Sequence, residues 1–350
     1  MEALEKKVKR CSKCLILEDR SVGIVVGDDG VCNLCKKNAS QYERMSWGDK
    51  KKVFDDIINS EKGKHKYDGV IMMSGGKDST YLALKLTKEY GLNLVGMSVD
   101  NGFEYPESFD NAKKMCEKLN IPYLIYQPKL QNLREFYKYI AVDSRLKRDD
   151  YGQICFYCGV YLKKVVSDYA KSIDAPFVFS GYNPDQVLEL GESDIIELDP
   201  NIIQYQKMIK KAAEEKIKDG KKYTAENHSN EMASYFELPD TKVLYYYQHF
   251  QYDPLGMIDV IKKELGWEPI QRFKKNYIAS GCKLACALIH FCQLKQKPDY
   301  IQKEFSSQIR KGSLDKDHVE KLLGDIKFSD EEINEVCSGL GLTPEEMLNL

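Results

Sequence analysis

Apolar positions follow two rhythms between residues 67 and 180. Short continuous apolar runs alternate with stretches in which apolar residues recur every three or four positions. The runs Tyr67–Met73, Leu92–Val99, Tyr123–Gln127 and Pro176–Ser180 predict strands. Ser79–Tyr90, Pro106–Leu119, Leu130–Ile140 and Cys158–Ile173 predict helices. A short amphipathic helix and a charged linker precede them at 47–66. Strands alternating with helices imply an α/β fold, a parallel sheet with helices on both faces. Ligands in such sheets sit at the carboxyl ends of strands.

Elsewhere the rhythm changes. Residues 1–45 hold two CxxC pairs and little periodicity, and read as a small metal-held module. The strand–helix alternation weakens after about 187. The charged stretch 200–235 reads as a solvated helix and loop. PLGMIDVIKKELGW, CKLACALIHFCQLKQ and SLDKDHVEKLLGDI make 254–350 mainly helical, and Ser329 and Thr343 are expected N-caps. The expected domains are therefore 1–45, a nucleotide-binding domain at 46–190 whose sheet extends to about 250, and a helical region at 191–350.

Charge and composition narrow the reading. The net charge of −2 favours a small-molecule substrate over tRNA, because phosphate contacts usually require a basic excess. No apolar run is long enough to span a bilayer, and MEALEKKVKR has no apolar core of a secretory signal, so the expected compartment is cytoplasmic, with no membrane partner. There the eleven cysteines would bind metal or do chemistry more often than form disulfides. Cys116 and Cys337 read as buried apolar residues. His290 reads as a core residue, and His65, His228, His249 and His318 as surface residues.

The first predicted strand stops on Ser74–Gly75–Gly76–Lys77–Asp78–Ser79 and restarts as a helix. A helix N-terminus favours an anion, and the two glycines let a phosphate approach the backbone. Lys77 adds a positive charge, and Ser74 and Ser79 add hydroxyl donors. Asp78 suits Mg²⁺ or a bond across the turn. The spacing is not that of a Walker-type loop.

This SGGKDS stretch resembles the PP-loop ATP pyrophosphatase superfamily. The resemblance implies a Rossmann-like, HUP-type sheet and cleavage of ATP to AMP and pyrophosphate. AMP would be loaded onto a substrate oxygen and then displaced by nitrogen or sulfur, with Lys77 and Asp78 in the catalytic loop. It also implies adenosine contacts at Asp100, after the second strand. Ser180–Gln186, SGYNPDQ, looks like a variant of the superfamily's GHNxDD element, with Tyr182 and Gln186 as departures. That likeness makes Gly181 a nucleotide contact and Asp185 a catalytic residue and Mg²⁺ ligand or loop anchor.

Cys11-x2-Cys14 and Cys32-x2-Cys35, seventeen residues apart, fit a four-thiolate Zn²⁺ site. With all four positions filled its role is structural, and rubredoxin-like iron is the alternative. The module with GVCNLC and the following loop resembles N-acetyl sugar amidotransferases of surface-polysaccharide and nonulosonate pathways, over about residues 10–130.

Cys155-x2-Cys158 and the distant Cys282 instead resemble PP-loop thiolation enzymes that hold a 4Fe–4S cluster. There three thiolates leave one iron open to hold sulfide. Cys286, one helical turn on, is an alternative third ligand. A second zinc or a persulfide-forming pair are alternative uses of these thiols. The expected activity is ATP-dependent adenylation of a carbonyl and its replacement by sulfur, on a small molecule or nucleobase. The alternatives are sugar amidotransferase, tRNA thiolation, and a non-catalytic nucleotide-binding scaffold. A sulfide or ammonia donor protein would feed the site, and a homodimer is admitted.

Overall fold

The computed structural model describes residues 8–36, 46–189, 200–273, 281–324 and 328–350. The domain boundaries expected at 45 and 190 lie outside these residues. The chain forms two compact units. One comprises the described residues of Met1–Tyr42, Arg148–Gly152 and Leu284–Leu350; the other comprises Glu43–Lys147 and Gln153–Lys283.

The second unit is built on five strands: β1 (Gly69–Met72), β2 (Leu94–Val99), β3 (Tyr123–Tyr126), β4 (Phe177–Ser180) and β5 (Lys242–Tyr245). Their order is β3-β2-β1-β4-β5, and every pair is parallel. The side-chain period of two splits each strand between two cores. Val70, Val95, Met97 and Val178 pack with Val166 and Ala170 on one face. Ile71, Phe177 and Phe179 pack with Leu82, Leu86, Met115 and Ile261 on the other. Both faces are covered, as the near-continuous apolar strands require. The chain runs outward from β1 through β2 to β3, then returns to the far side of β1 for β4. That reversal opens a crevice beyond the ends of β1 and β4, where α/β sheets bind ligands.

Most expected elements appear within two or three residues of their expected bounds. The helix expected from Cys158 instead runs Gly152–Ser172, so both cysteines of the CxxC lie inside it rather than before it. Asp150 Oδ1 accepts the Gly152 N–H at 3.1 Å, and Tyr151 takes the left-handed conformation (φ 54°) just ahead of the first turn. β5 was not marked by its own pattern. Its four residues sit beside a dense aromatic group in which Phe54 packs against Tyr246, His249 and Phe250. His249, expected at the surface, is buried there, with Nδ1 3.1 Å from the Lys50 carbonyl oxygen. The stretch 200–235 forms one long helix, Pro200–Asn227, and a short one, Asn230–Ala233.

In the first unit, short bridges Arg10↔Leu17, Asp19↔Ile24 and Val26↔Cys32 fold the amino-terminal segment around Cys11, Cys14, Cys32, Ile16 and Ile24. Carboxyl-terminal helices share this unit. Ser329 and Thr343 each form a capping box, as their spacing to Glu332 and Glu346 implies. The Tyr151 hydroxyl donates to the Met347 carbonyl at 2.7 Å. Among the described residues no helix is long and apolar enough to cross a membrane.

Candidate active site

β1 ends at the loop Ser74–Gly76, and the next helix starts at Lys77. Gly75 has φ +72°, and a Cβ there would stand 2.2 Å from the Ser108 carbonyl oxygen, so only glycine fits. The Gly75 carbonyl accepts from Trp267 Nε1 and Asn111 Nδ2, both at 2.9 Å. The Ser74 and Ser79 hydroxyls lie 3.1 Å apart, and the Ser74 N–H donates to Ser79 Oγ at 3.2 Å. The loop is thus pinned from both sides. The first-turn amides, which have no partner inside a helix, form the anion-binding end.

Asp78 is held across the turn. Its Oδ2 accepts from Lys77 Nζ at 2.7 Å, its Oδ1 from the Tyr252 hydroxyl at 2.9 Å, and its carbonyl from the Tyr247 hydroxyl at 2.7 Å. Of the two uses its chemistry admits, the structural bond is the one formed. Gly181 follows β4, and a Cβ on it would stand 3.0 Å from the Ser79 nitrogen, so the Ser180–Gln186 turn lies against the start of the loop helix. Asn183 Oδ1 accepts the Asp185 and Gln186 N–H groups at 3.0 Å and caps the helix Pro184–Glu189. Asp185 lies in that first turn. Asp100 follows β2 and accepts from the Gly102 N–H and Gln127 Nε2, both at 2.8 Å.

Three thiols of the second unit, Cys155, Cys158 and Cys282, are linked pairwise through Tyr137 and Tyr182. Cys158 Sγ is 3.1 Å from the Tyr137 hydroxyl. Burial raises the Tyr137 pKa well above its usual value, and Cys158 and Cys282 add to that shift. Tyr182 is raised by burial and by Cys158, Cys155 and Glu104. Burial pushes the Cys158 thiol up to about 12, with Cys155 and Glu104 adding to it against the Tyr137 hydrogen bond. Cys282 precedes the helix Lys283–Leu294 and pairs with Glu104 through the backbone. The Asn101 amide donates to Cys282 Sγ at 3.4 Å and to Glu104 Oε1 at 2.8 Å. Burial and Asp100 raise the Glu104 carboxyl to about 7.

Cys11, Cys14, Cys32 and Cys35 place their sulfurs within 4.8 Å of one another, the one such group of three or more ligands among the described residues. Cys11 and Cys35 are 3.8 Å apart, and Cys14 and Cys32 3.7 Å. A tetrahedral zinc with bonds of about 2.3 Å requires sulfurs roughly 3.8 Å apart, so the set fits that ion. Burial raises the Cys11 thiol, but amide donors from Cys14, Cys32 and Lys13 outweigh it and bring it to about 6. Burial, then Cys14 and Cys32, push Cys35 up, a conflict that a divalent cation removes. Arg310 Nη1 also donates to Cys14 Sγ at 3.3 Å.

Cys155, Cys158 and Cys282 do not close into such a tetrahedral group, which disfavours a second zinc there. A cubane, whose thiolates bind separate irons, accepts wider spacing. Cys286 belongs to the other compact unit.

Several site residues carried no signal of their own. Tyr247, Tyr252 and Trp267 read as core aromatics, and only their distance contacts to Asp78 and Gly75 reveal them. Lys163 is fully buried on the CxxC helix, its ammonium 5.8 Å from the Tyr182 ring, and burial lowers it to about 7.

No protein-family model matches the chain. A cytoplasmic tRNA 2-thiolation protein 1 of Schizosaccharomyces pombe is 28% identical over 177 residues, 45% of this chain and 51% of that protein. The protein of the same name from Drosophila virilis is 27% identical, over 46% of this chain and 45% of its own length. An uncharacterized protein of Methanocaldococcus jannaschii is 29% identical, over 61% of this chain and 70% of its own. The chain spans about half the length of the tRNA 2-thiolation relatives it matches. Among solved structures, U34-tRNA thiolase NcsA from Methanococcus maripaludis with its 4Fe–4S cluster is 19% identical, covering 83% of this chain and 86% of that one, at a TM-score of 0.39. The NH3-dependent NAD synthetase from Campylobacter jejuni is 12% identical, covering 85% and 94%, at 0.36. At such scores the overlays carry no argument.

These relatives overturn the expectation of a small-molecule substrate with tRNA disfavoured. Net charge sums the whole chain, whereas phosphates meet local surface. Lys207, Lys210, Lys211, Lys218, Lys221 and Lys222 are all exposed on one helix of this acidic protein. With its glycine loop in this geometry and tRNA 2-thiolation proteins among its relatives, the chain is similar to the PP-loop ATP pyrophosphatase superfamily, as Ser74–Ser79 implies.

Proposed function

We propose that this chain is an ATP-dependent sulfurtransferase that thiolates a nucleobase carbonyl of tRNA in the cytoplasm. One observation carries the reading: Cys158 shares Tyr137 with Cys282 and Tyr182 with Cys155, all in the same compact unit as the pinned Ser74–Ser79 loop. The printed names of the relatives support tRNA as the acceptor and sulfur as the transferred atom.

The loop amides and Lys77 hold the β- and γ-phosphates of ATP and stabilise charge on the departing pyrophosphate. The substrate's carbonyl oxygen attacks the α-phosphorus, and pyrophosphate leaves. A sulfur nucleophile adds to the activated carbon, and AMP departs with the former carbonyl oxygen. Asn183 and Gln186 keep the β4 turn rigid against Ser79, so the two sides of the crevice hold the adenylate in a fixed place. A 4Fe–4S cluster held by Cys155, Cys158 and Cys282 would supply sulfide at its open iron. Zinc at the amino-terminal cysteines would be structural.

Anaerobically purified protein, ATP, Mg²⁺, sulfide and an unmodified tRNA transcript should yield thiolated nucleoside, AMP and pyrophosphate, read by mass spectrometry of the digested RNA. An ammonia arm tests the amidotransferase alternative. Nitrogen incorporation without sulfur, or ADP as the product, overturns the proposal.

A further inference from the structure

The three cysteines are accompanied by a fourth ligand-type side chain that the reaction above leaves unused. Glu104 is fixed beside Cys282 by three separate contacts. The two residues form an antiparallel backbone bridge. The Asn101 amide holds Glu104 Oε1 at 2.8 Å while also reaching Cys282 Sγ at 3.4 Å. Gly281 supplies the third: a Cβ on it would stand 2.1 Å from Ser108 Oγ and 3.0 Å from Glu104 Oε2, so the absence of a side chain leaves room for both. The carboxyl is not confined to the Cys282 side, since its charge also acts on Cys158 and on Tyr182. It faces Asp100 as well. A carboxyl group beside Asp100 and thiols is disfavoured as an anion by its like-charged neighbour. It gains much from a cation.

We propose that Glu104 is a fourth protein ligand at this site, its carboxylate oxygen bonding to the iron that Cys155, Cys158 and Cys282 leave open. The inference rests on the cluster reading above. Carboxylate oxygen is a competent but weaker partner than sulfur for iron in a sulfur-rich setting, so such a ligand closes the site and still yields to sulfide. Asn101 acts as the outer partner that aims it, as hydrogen-bonded ligands in metal sites generally require. No redox step is involved: the carboxyl proton would go to solvent, the carboxylate would form one Fe–O bond, and incoming sulfide would break that bond and free the carboxylate.

The full chain, reconstituted anaerobically with iron and sulfide, is reduced and followed by electron paramagnetic resonance while a monothiol is titrated in. Glu104→Gln keeps the volume and the Asn101 contact and loses the anionic ligand. Its starting spectrum should differ from wild type, and it should take up the thiol at a concentration at least tenfold lower. Glu104→Asp should fall between the two. Identical spectra and equal titration midpoints for wild type and Glu104→Gln overturn the assignment. Circular dichroism and iron content are measured on each variant, and a folded Glu104→Gln protein that loses one iron per cluster also supports it. A wild-type chain that binds no cluster overturns the cluster reading and this inference together. A cluster lost in Cys155→Ala but indifferent to Glu104→Gln overturns this inference alone.

Discussion

The Tyr252 hydroxyl donates a 2.9 Å hydrogen bond to Asp78 Oδ1, joining a residue 174 positions away to the first turn of the loop helix. Lys77 takes the other carboxylate oxygen. The lysine proposed to face phosphate is therefore aimed by an aspartate that is itself aimed by a tyrosine. A hydrogen bond to a charged group contributes about 1.5–3 kcal/mol. Tyr252→Phe is expected to slow pyrophosphate release roughly tenfold, the lower part of that range, since about 1.4 kcal/mol is a factor of ten. Nucleotide affinity should fall less. Pyrophosphate release measured beside the thermal midpoint checks this, and an unchanged rate in the folded variant refutes the link.

Lys77 itself is mostly sheltered, with its ammonium on Asp78 and 6.0 Å from the Tyr252 ring. Lys77→Ala removes the only cation of the Ser74–Ser79 loop and leaves the Asp78 carboxylate its Tyr252 bond. Pyrophosphate release should drop by about a hundredfold or more, the scale of removing one electrostatic stabiliser of a transition state. The thermal midpoint should move little. A Lys77→Ala protein that released pyrophosphate at the wild-type rate would show that another site cleaves ATP.

The repeating strands and helices around the glycine loop were legible because both faces of a parallel sheet must be apolar. Val70 and Ile71 point to opposite cores, so β1 reads as an unbroken apolar run. The four amino-terminal cysteines were legible because a four-thiolate metal site dictates their spacing. The start of the CxxC helix was not, since Asp150 caps it from just outside an aromatic run that has no helical period. Glu104, Tyr252 and Trp267 were not either. Their roles arise from contacts between segments far apart in sequence, and nothing local distinguishes a tyrosine that orients Asp78 from one that fills a core.

The amino-terminal thiols should hold about one zinc per chain, and Arg310 should strengthen that hold. Four thiolates around a divalent ion leave a net negative centre, and the Arg310 guanidinium lies 3.3 Å from Cys14 Sγ. Cys35→Ser should abolish zinc binding and lower the stability of the unit that contains it. Arg310→Ala should release zinc to a chelator several-fold faster, with the metal still bound at rest. Both variants should keep ATP binding in the other unit. Zinc content and chelator release kinetics are the measurements. Equal release rates for wild type and Arg310→Ala would remove the arginine from the site.

Asp299 gives the first unit a pH dependence of definite sign. It caps the helix Tyr300–Lys311, accepting the Gln302 N–H at 2.9 Å, and is almost wholly buried. Burial raises its carboxyl to about 6, against the pull of the Gln302 and Ile301 amides and of Lys303. The folded state then binds this proton more tightly than the unfolded chain does. Its stabilisation is fully present below the unfolded carboxyl value and is lost as pH rises through about 6. The loss is about 3 kcal/mol for a shift of roughly two pH units. Asp299→Asn keeps the capping oxygen and has no charge to desolvate. Its stability relative to wild type should therefore grow between pH 4 and pH 7, by up to about that amount. Denaturant midpoints of both proteins across that range check the sign. A difference that shrinks with rising pH would mean that the amides and Lys303 outweigh burial at Asp299.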